Sequence, residues 1–230
     1  MAAPARKTNW FAIWVSVAVI AVLVIVGGIV VWMNNTSADA GPTVAPTAPS
    51  INAETGAIVI GSGSQTMDTY IDFMCPVCNQ FEQAYGSAIN SLVDDGTITL
   101  NIHPISILDR MSSGTEYSTR AANAMYCVAA SVPEASVPFM QAMFANQPAE
   151  GSTGLSNEQI LQIAASVEAT GIDACVNDGQ YSGFVTSMTD KTPVAPGAAG
   201  IGTPTIAING EVISNRSLPA PADLGSLFAE

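Results

Sequence analysis

Histidine occurs once in these 230 residues, at His103, and six Lys and Arg side chains face nineteen Asp and Glu, a net charge of −13. One imidazole cannot build the multi-histidine donor sets of zinc or copper centres. The shortage of positive charge excludes nucleic acid and anionic membrane surfaces as partners, since both require basic patches. No Lys or Arg lies between Lys7 and Arg110. The glycines from Gly197 to Gly202 have neither the Lys nor the following helix that a phosphate-binding loop requires. There are no internal repeats. The four cysteines, Cys75, Cys78, Cys127 and Cys175, therefore stand out among the chemically reactive residues.

The first 33 residues carry no acid at all. Trp10–Met33 is an uncharged apolar stretch of 24 residues, preceded by Arg6 and Lys7 and bracketed by Trp10, Trp14 and Trp32. At about 1.5 Å per residue it is long enough to cross about 30 Å of hydrocarbon. The positive charges set residues 1–9 inside and everything after Met33 outside the cytoplasmic membrane. A cleaved signal peptide with Ala38-Asp39-Ala40 as its processing site is the alternative, although its apolar core would be about twice the usual 7–15 residues. The exported part then holds 4 basic against 19 acidic residues, a net charge of −15. Disulfides persist in that compartment.

Residues 34–53, rich in Ala, Pro and Thr, read as a semi-extended tether. Beyond it, alternation predicts strands over Gly56–Ile60, Thr66–Phe73 and Thr97–His103. Helical spacing of Phe81, Ala84, Tyr85, Ala88, Ile89 and Leu92 predicts a helix over Val77–Val93. The strand–helix–strand order implies a parallel pair with a right-handed crossover. Helices are then expected at Thr115–Ala130, Pro133–Asn146, Asn157–Thr170 (with Ser156 and Gln159 as a capping box) and Gln180–Thr189. Asn209-Gly210 between Thr205–Ile208 and Glu211–Ser214 is a strong hairpin signal, and Ala220–Ala229 is expected as a closing helix. The whole reads as an α/β domain over 54–230, with a helical block at about 105–192 between its halves.

The chemistry concentrates at Cys75-Pro76-Val77-Cys78, which follows an apolar run and opens a helix. At a helix start, unpaired N–H groups and the helix dipole favour a thiolate on the first sulfur. Pro76 fits the first turn, where no N–H is needed. A closed ring of this size is strained and labile, which suits a redox pair better than a static bridge or half of a zinc site.

The segment Tyr70–Cys78, together with Gly202-Thr203-Pro204-Thr205 leading into the hairpin, resembles the thioredoxin superfamily. The intervening helical block resembles the DsbA-like branch, and the N-terminal anchor is similar to membrane-anchored actinobacterial versions. The resemblance implies that Cys75 is the exchanging thiol and Cys78 its partner. It further implies that the Thr203–Pro204 bond is cis and that these two residues hold the substrate chain. Many relatives place a His inside the dicysteine loop where this chain has Val77, and a buried acid where it has Thr69. Asp72 is the candidate proton acceptor for Cys78, with a solvated acid at the strand end as the alternative.

With the dicysteine pair reserved, Cys127 and Cys175 form a structural disulfide or stay as buried thiols. His103 and the group Met140, Met143 and Phe144 read as packing residues. The expected activity is dithiol–disulfide exchange with unfolded exported proteins that contain cysteine, by a monomer using no metal and no organic cofactor. Recycling by a membrane quinone-linked thiol oxidase is implied by the resemblance. The alternatives are a reductase or isomerase using the same dithiol, or a copper-binding or chaperone-like module.

Overall fold

The computed structural model describes residues 43–229. The expected membrane span at 10–33 lies outside them, as do residues 34–42 of the tether. Among the described residues no helix is long and apolar enough to cross a membrane.

Five strands form one sheet in the order β1-β3-β2-β4-β5. They are β1 (Ile58–Ile60), β2 (Gln65–Ile71), β3 (Ile98–Pro104), β4 (Thr205–Ile208) and β5 (Glu211–Ile213). The central pair, β2 and β3, is parallel, and the other pairings are antiparallel. Helix α1 (Pro76–Asp94) is the crossover between β2 and β3. Along β2, Met67, Thr69 and Ile71 are buried while Asp68 and Tyr70 are only partly covered, the period-two signature of a strand with unequal faces. The β4–β5 turn has positive φ at both Asn209 (51°) and Gly210 (80°), as a type I′ hairpin requires.

The helical block follows β3. It comprises α2 (Tyr117–Ser131), α3 (Ser136–Ala145), α4 (Asn157–Ser166), α5 (Asp173–Asn177) and α6 (Ser182–Thr189). Nearly every residue of α2 from Tyr117 to Ala129 is buried, because the other helices surround it. Ser156 and Gln159 make the reciprocal capping box that starts α4. Met140, Met143 and Phe144 lie in the core.

Several boundaries differ from expectation. The helix expected to reach Thr170 stops at Ser166, where Glu168 turns to φ 64°. Pro133–Ala135 is a separate 3-10 turn before α3. Helix α5, too short for a periodic signal, is unanticipated. Pro221–Phe228 is a 3-10 segment rather than an α-helix. Its packing against α1 decides its geometry, for eight residues starting with Pro have little intrinsic helicity. Residues 43–53, expected within the tether, pack on the domain: Pro46 and Ile51 are buried, Ile51 bridges to Ile58, and the Ser50 hydroxyl donates to Ala129 O at 2.6 Å.

Candidate active site

Cys75 is the N-cap residue of α1, in extended backbone with φ −78°, and Pro76 takes the first helical position. The Cys75 carbonyl accepts from the N–H groups of Cys78 (3.1 Å) and Asn79 (3.3 Å), so the four-residue ring is the first helical turn itself. Both thiols are free. The motif does not expose its first sulfur as fully as helix-end geometry suggests. Cys75 retains 5% of its surface and Cys78 none, while Val77 between them is 53% exposed. The loop carrying Thr203 covers the pair: Cys75 Sγ donates to Thr203 O at 3.5 Å, and Cys78 Sγ lies 2.9 Å from Thr203 Oγ1.

That loop arrives through 190–204 without a helix and ends in a cis Thr203–Pro204 bond. The Thr203 hydroxyl also lies within donating distance of Tyr70 O (3.2 Å). Asn215 holds the Pro204 carbonyl at 2.7 Å. Beyond Pro204 a groove of about 220 Å³ is lined by Val77, Gln80, Phe81, Tyr85, Asn215 and Leu218. It holds no charged side chain.

The two thiols are polarised in opposite directions. The hydrogen bond from Cys78, joined by the N–H groups of Cys78 and Val77, lowers the Cys75 thiol to about 7 against the cost of burial. Burial first, and then the bond to Cys75, raises Cys78 well above its ordinary value. Near neutral pH Cys75 is therefore the sulfur that ionises, while Cys78 keeps its proton.

Asp72 is no solvated strand-end acid. It is fully buried, and its oxygens accept from Met74 N (2.8 Å), Ser118 Oγ (2.7 Å) and Leu108 N (2.9 Å). These donors tie the loop before Cys75 to the start of the helical block, and neither sulfur hydrogen-bonds the Asp72 carboxyl. Burial pushes this carboxyl up to about 6, outweighing the three donors. A raised acid binds its proton more tightly folded than unfolded, so folding stability should fall as pH rises from 3.8 to about 6. The loss across that window is on the order of 3 kcal/mol. Denaturant midpoints between these pH values should decline in the parent and stay flatter in Asp72→Asn. Parallel profiles would show that Asp72 does not carry the effect.

The other anticipated residues sit apart from the sulfurs. His103 Nε2 meets Asp68 Oδ1 at 2.9 Å and its ring stacks on Tyr70, a packing role within the sheet. Cys127 and Cys175 are joined as a disulfide between α2 and α5. Thr69 is buried and has no acidic function. Among the described residues, no three His, Cys, Asp or Glu are grouped to hold a metal.

Sequence reasoning missed Gln147, just past the end of α3. Its Nε2 donates to Phe73 O (3.0 Å) and Cys75 O (2.9 Å), and its oxygen accepts from Asn79 Nδ2 (3.2 Å). The one available signal was spacing: Met140, Phe144 and Gln147 continue a single helical stripe.

A parallel βαβ unit, a ββ hairpin and a polarised dithiol at a helix start opposite a cis-proline loop define a thioredoxin-like redox domain with a helical insertion. The sequence family described as Thioredoxin matches residues 54–223, and the chain belongs to that family. Its close structural neighbours are thiol–disulfide oxidoreductases. Reduced DsbA from Mycobacterium tuberculosis aligns at 28% identity and TM-score 0.65, covering 76% of this chain and 93% of that one. The disulfide bond oxidoreductase DsbG of the same organism aligns at 29% and 0.62, covering 83% and 90%. MdbA from Actinomyces oris, at 24% identity and TM-score 0.63 over 80% and 92%, shares the fold. Among curated sequences, the serine/threonine-protein kinase PknE of Mycobacterium tuberculosis is 30% identical over 162 residues. That match covers 67% of this chain but only 28% of the kinase.

Proposed function

We propose that this chain is an extracytoplasmic thiol–disulfide oxidoreductase that introduces disulfides into exported proteins. The observation that carries the reading is the polarised pair, a low Cys75 thiol beside a raised Cys78 thiol, facing the Thr203–Pro204 loop. A substrate thiolate attacks Cys75 Sγ in the Cys75–Cys78 disulfide. The ring bond breaks, and Cys78 leaves and takes a proton. A second substrate thiolate then attacks the substrate sulfur of the mixed disulfide, and Cys75 leaves as thiolate. The substrate dithiol loses two electrons and the protein disulfide gains them. A stabilised Cys75 thiolate favours the reduced protein and so strengthens the disulfide as oxidant, with 30 mV equivalent to about 1.4 kcal/mol.

Support for substrates in extended form comes from the uncharged groove beside Pro204, which suits unfolded apolar segments flanking a cysteine. The Trp10–Met33 stretch supports a single-pass anchor in the cytoplasmic membrane with the N-terminus inside. A membrane quinone-linked thiol oxidase is the proposed recycling partner, and a monomer the working unit. Asp72, three residues before Cys75 in the chain, is the proposed acceptor of the Cys78 proton when the dithiol is reoxidised, and it returns that proton when Cys78 leaves the disulfide.

Equilibrating residues 43–230 with glutathione redox buffers, then mixing the oxidised form with a reduced cysteine-containing peptide, tests the reading. Peptide disulfide should form at the expense of the protein disulfide. A protein disulfide too stable to oxidise the peptide would instead establish a reductase. Tight Cu(I) binding without exchange would establish the metal-binding alternative.

A further inference from the structure

We infer that Gln147 is a positioning residue for the dithiol, through which the helical insertion holds the peptide units on both sides of Cys75. The inference rests on the redox reading above but concerns a residue outside the dicysteine and proline loops.

Both N–H groups and the oxygen of the Gln147 amide have partners. Its two N–H groups go to the carbonyl oxygens of Phe73 and Cys75, and its oxygen receives Asn79 Nδ2. Asn79 in turn donates to Phe144 O (3.0 Å) and accepts from Gln83 Nε2 (2.9 Å), so the clamp is braced from α1. Packing of Phe144 against Phe73, with ring centroids 5.1 Å apart, fixes the end of α3 over the same loop. The contact joins residues 72 and 74 positions apart in sequence, so only the insertion's tertiary packing creates it.

The consequence is electrostatic. A thiolate at Cys75 is stabilised by N–H groups at the start of α1 and opposed by any carbonyl oxygen turned toward it. The Phe73 and Cys75 carbonyls flank the sulfur on the chain. Donors from Gln147 draw charge from both oxygens, and at Cys75 they add to the Cys78 and Asn79 N–H groups already on that carbonyl. The Cys75–Pro76 peptide has no N–H of its own, so its orientation cannot be set by a hydrogen bond from that nitrogen. Gln147 makes no hydrogen bond to Cys78 or Asp72, the ionisable groups that act on Cys75.

Gln147→Leu removes both donors at similar bulk, and Gln147→Glu places a carboxylate against two carbonyls. Gln141→Leu serves as control, because Gln141 on α3 donates to Glu82 (3.0 Å) and makes no hydrogen bond to the loop or the sulfurs. Thiolate absorbance of the reduced proteins should titrate at higher pH in both Gln147 variants and unchanged in the control. Alkylation of Cys75 below neutral pH should slow by about threefold to tenfold, the equivalent of one neutral hydrogen bond. The glutathione equilibrium should move toward the protein disulfide by a similar factor. A lowered melting temperature with unchanged titration and equilibrium in both variants would reduce Gln147 to a structural strut. The titration needs no turnover, so it decides the role of Gln147 even if the parent protein fails to oxidise peptides.

Discussion

Replacing Cys75 with serine is expected to abolish thiol–disulfide exchange, lowering the rate by roughly a thousandfold or more, as loss of a covalent nucleophile does. Serine cannot form the sulfur–sulfur bond, and its hydroxyl does not ionise near neutral pH as the Cys75 thiol does. Cys78→Ala should behave differently. It retains the Cys75 sulfur, which should titrate higher without the hydrogen bond from Cys78, but lacks the thiol that resolves it, so mixed disulfides at Cys75 should accumulate. Brief alkylation of the reduced parent should label Cys75 first, because Cys78 is both fully buried and held protonated. Mapping the label by mass spectrometry checks the assignment. Preferential labelling of Cys78, or exchange surviving in Cys75→Ser, would reverse the roles.

Loss of the Cys127–Cys175 disulfide should give the largest stability change in the molecule. The bond closes 48 residues, and chain-entropy arguments assign about 4 kcal/mol to a loop of that size. For a domain of this size that corresponds to a melting temperature lower by on the order of 10 °C in the double alanine variant. The bridge ties α5, a helix of five residues with little stability of its own, to buried α2. Exchange measured well below the melting range should be unaffected, since neither sulfur reaches the dithiol by any hydrogen bond. A variant that melts like the parent yet loses exchange would make this pair a redox relay instead.

Local signals were legible where the local interaction is also the stabilising one. The Asn209-Gly210 turn needs positive φ at both positions and obtains it. The capping box at Ser156 and Gln159 closes within four residues. The apolar stripe of α1 faces the sheet because Phe81 and Ile89 recur at helical spacing. Elements whose geometry comes from neighbours were not legible: α5 is shaped by the disulfide and α2, and Pro221–Phe228 by contact with α1. At the site, Asp72 read as a solvated acid because nothing near it in sequence reveals Ser118 and Leu108 as its donors.

By itself the sequence determined the reactive chemistry: a Cys-Pro-Val-Cys ring at a helix start, a Thr-Pro pair leading into a hairpin, and an acidic chain with one histidine. Those are properties of residue type and short spacing, which the chain carries in any conformation. Tertiary structure alone decided how deeply the sulfurs lie, that burial holds the proton on Cys78, and that Gln147 holds the Cys75 carbonyl. Burial and long-range hydrogen bonds depend on segments dozens of residues apart meeting in the fold, and no local pattern encodes that meeting.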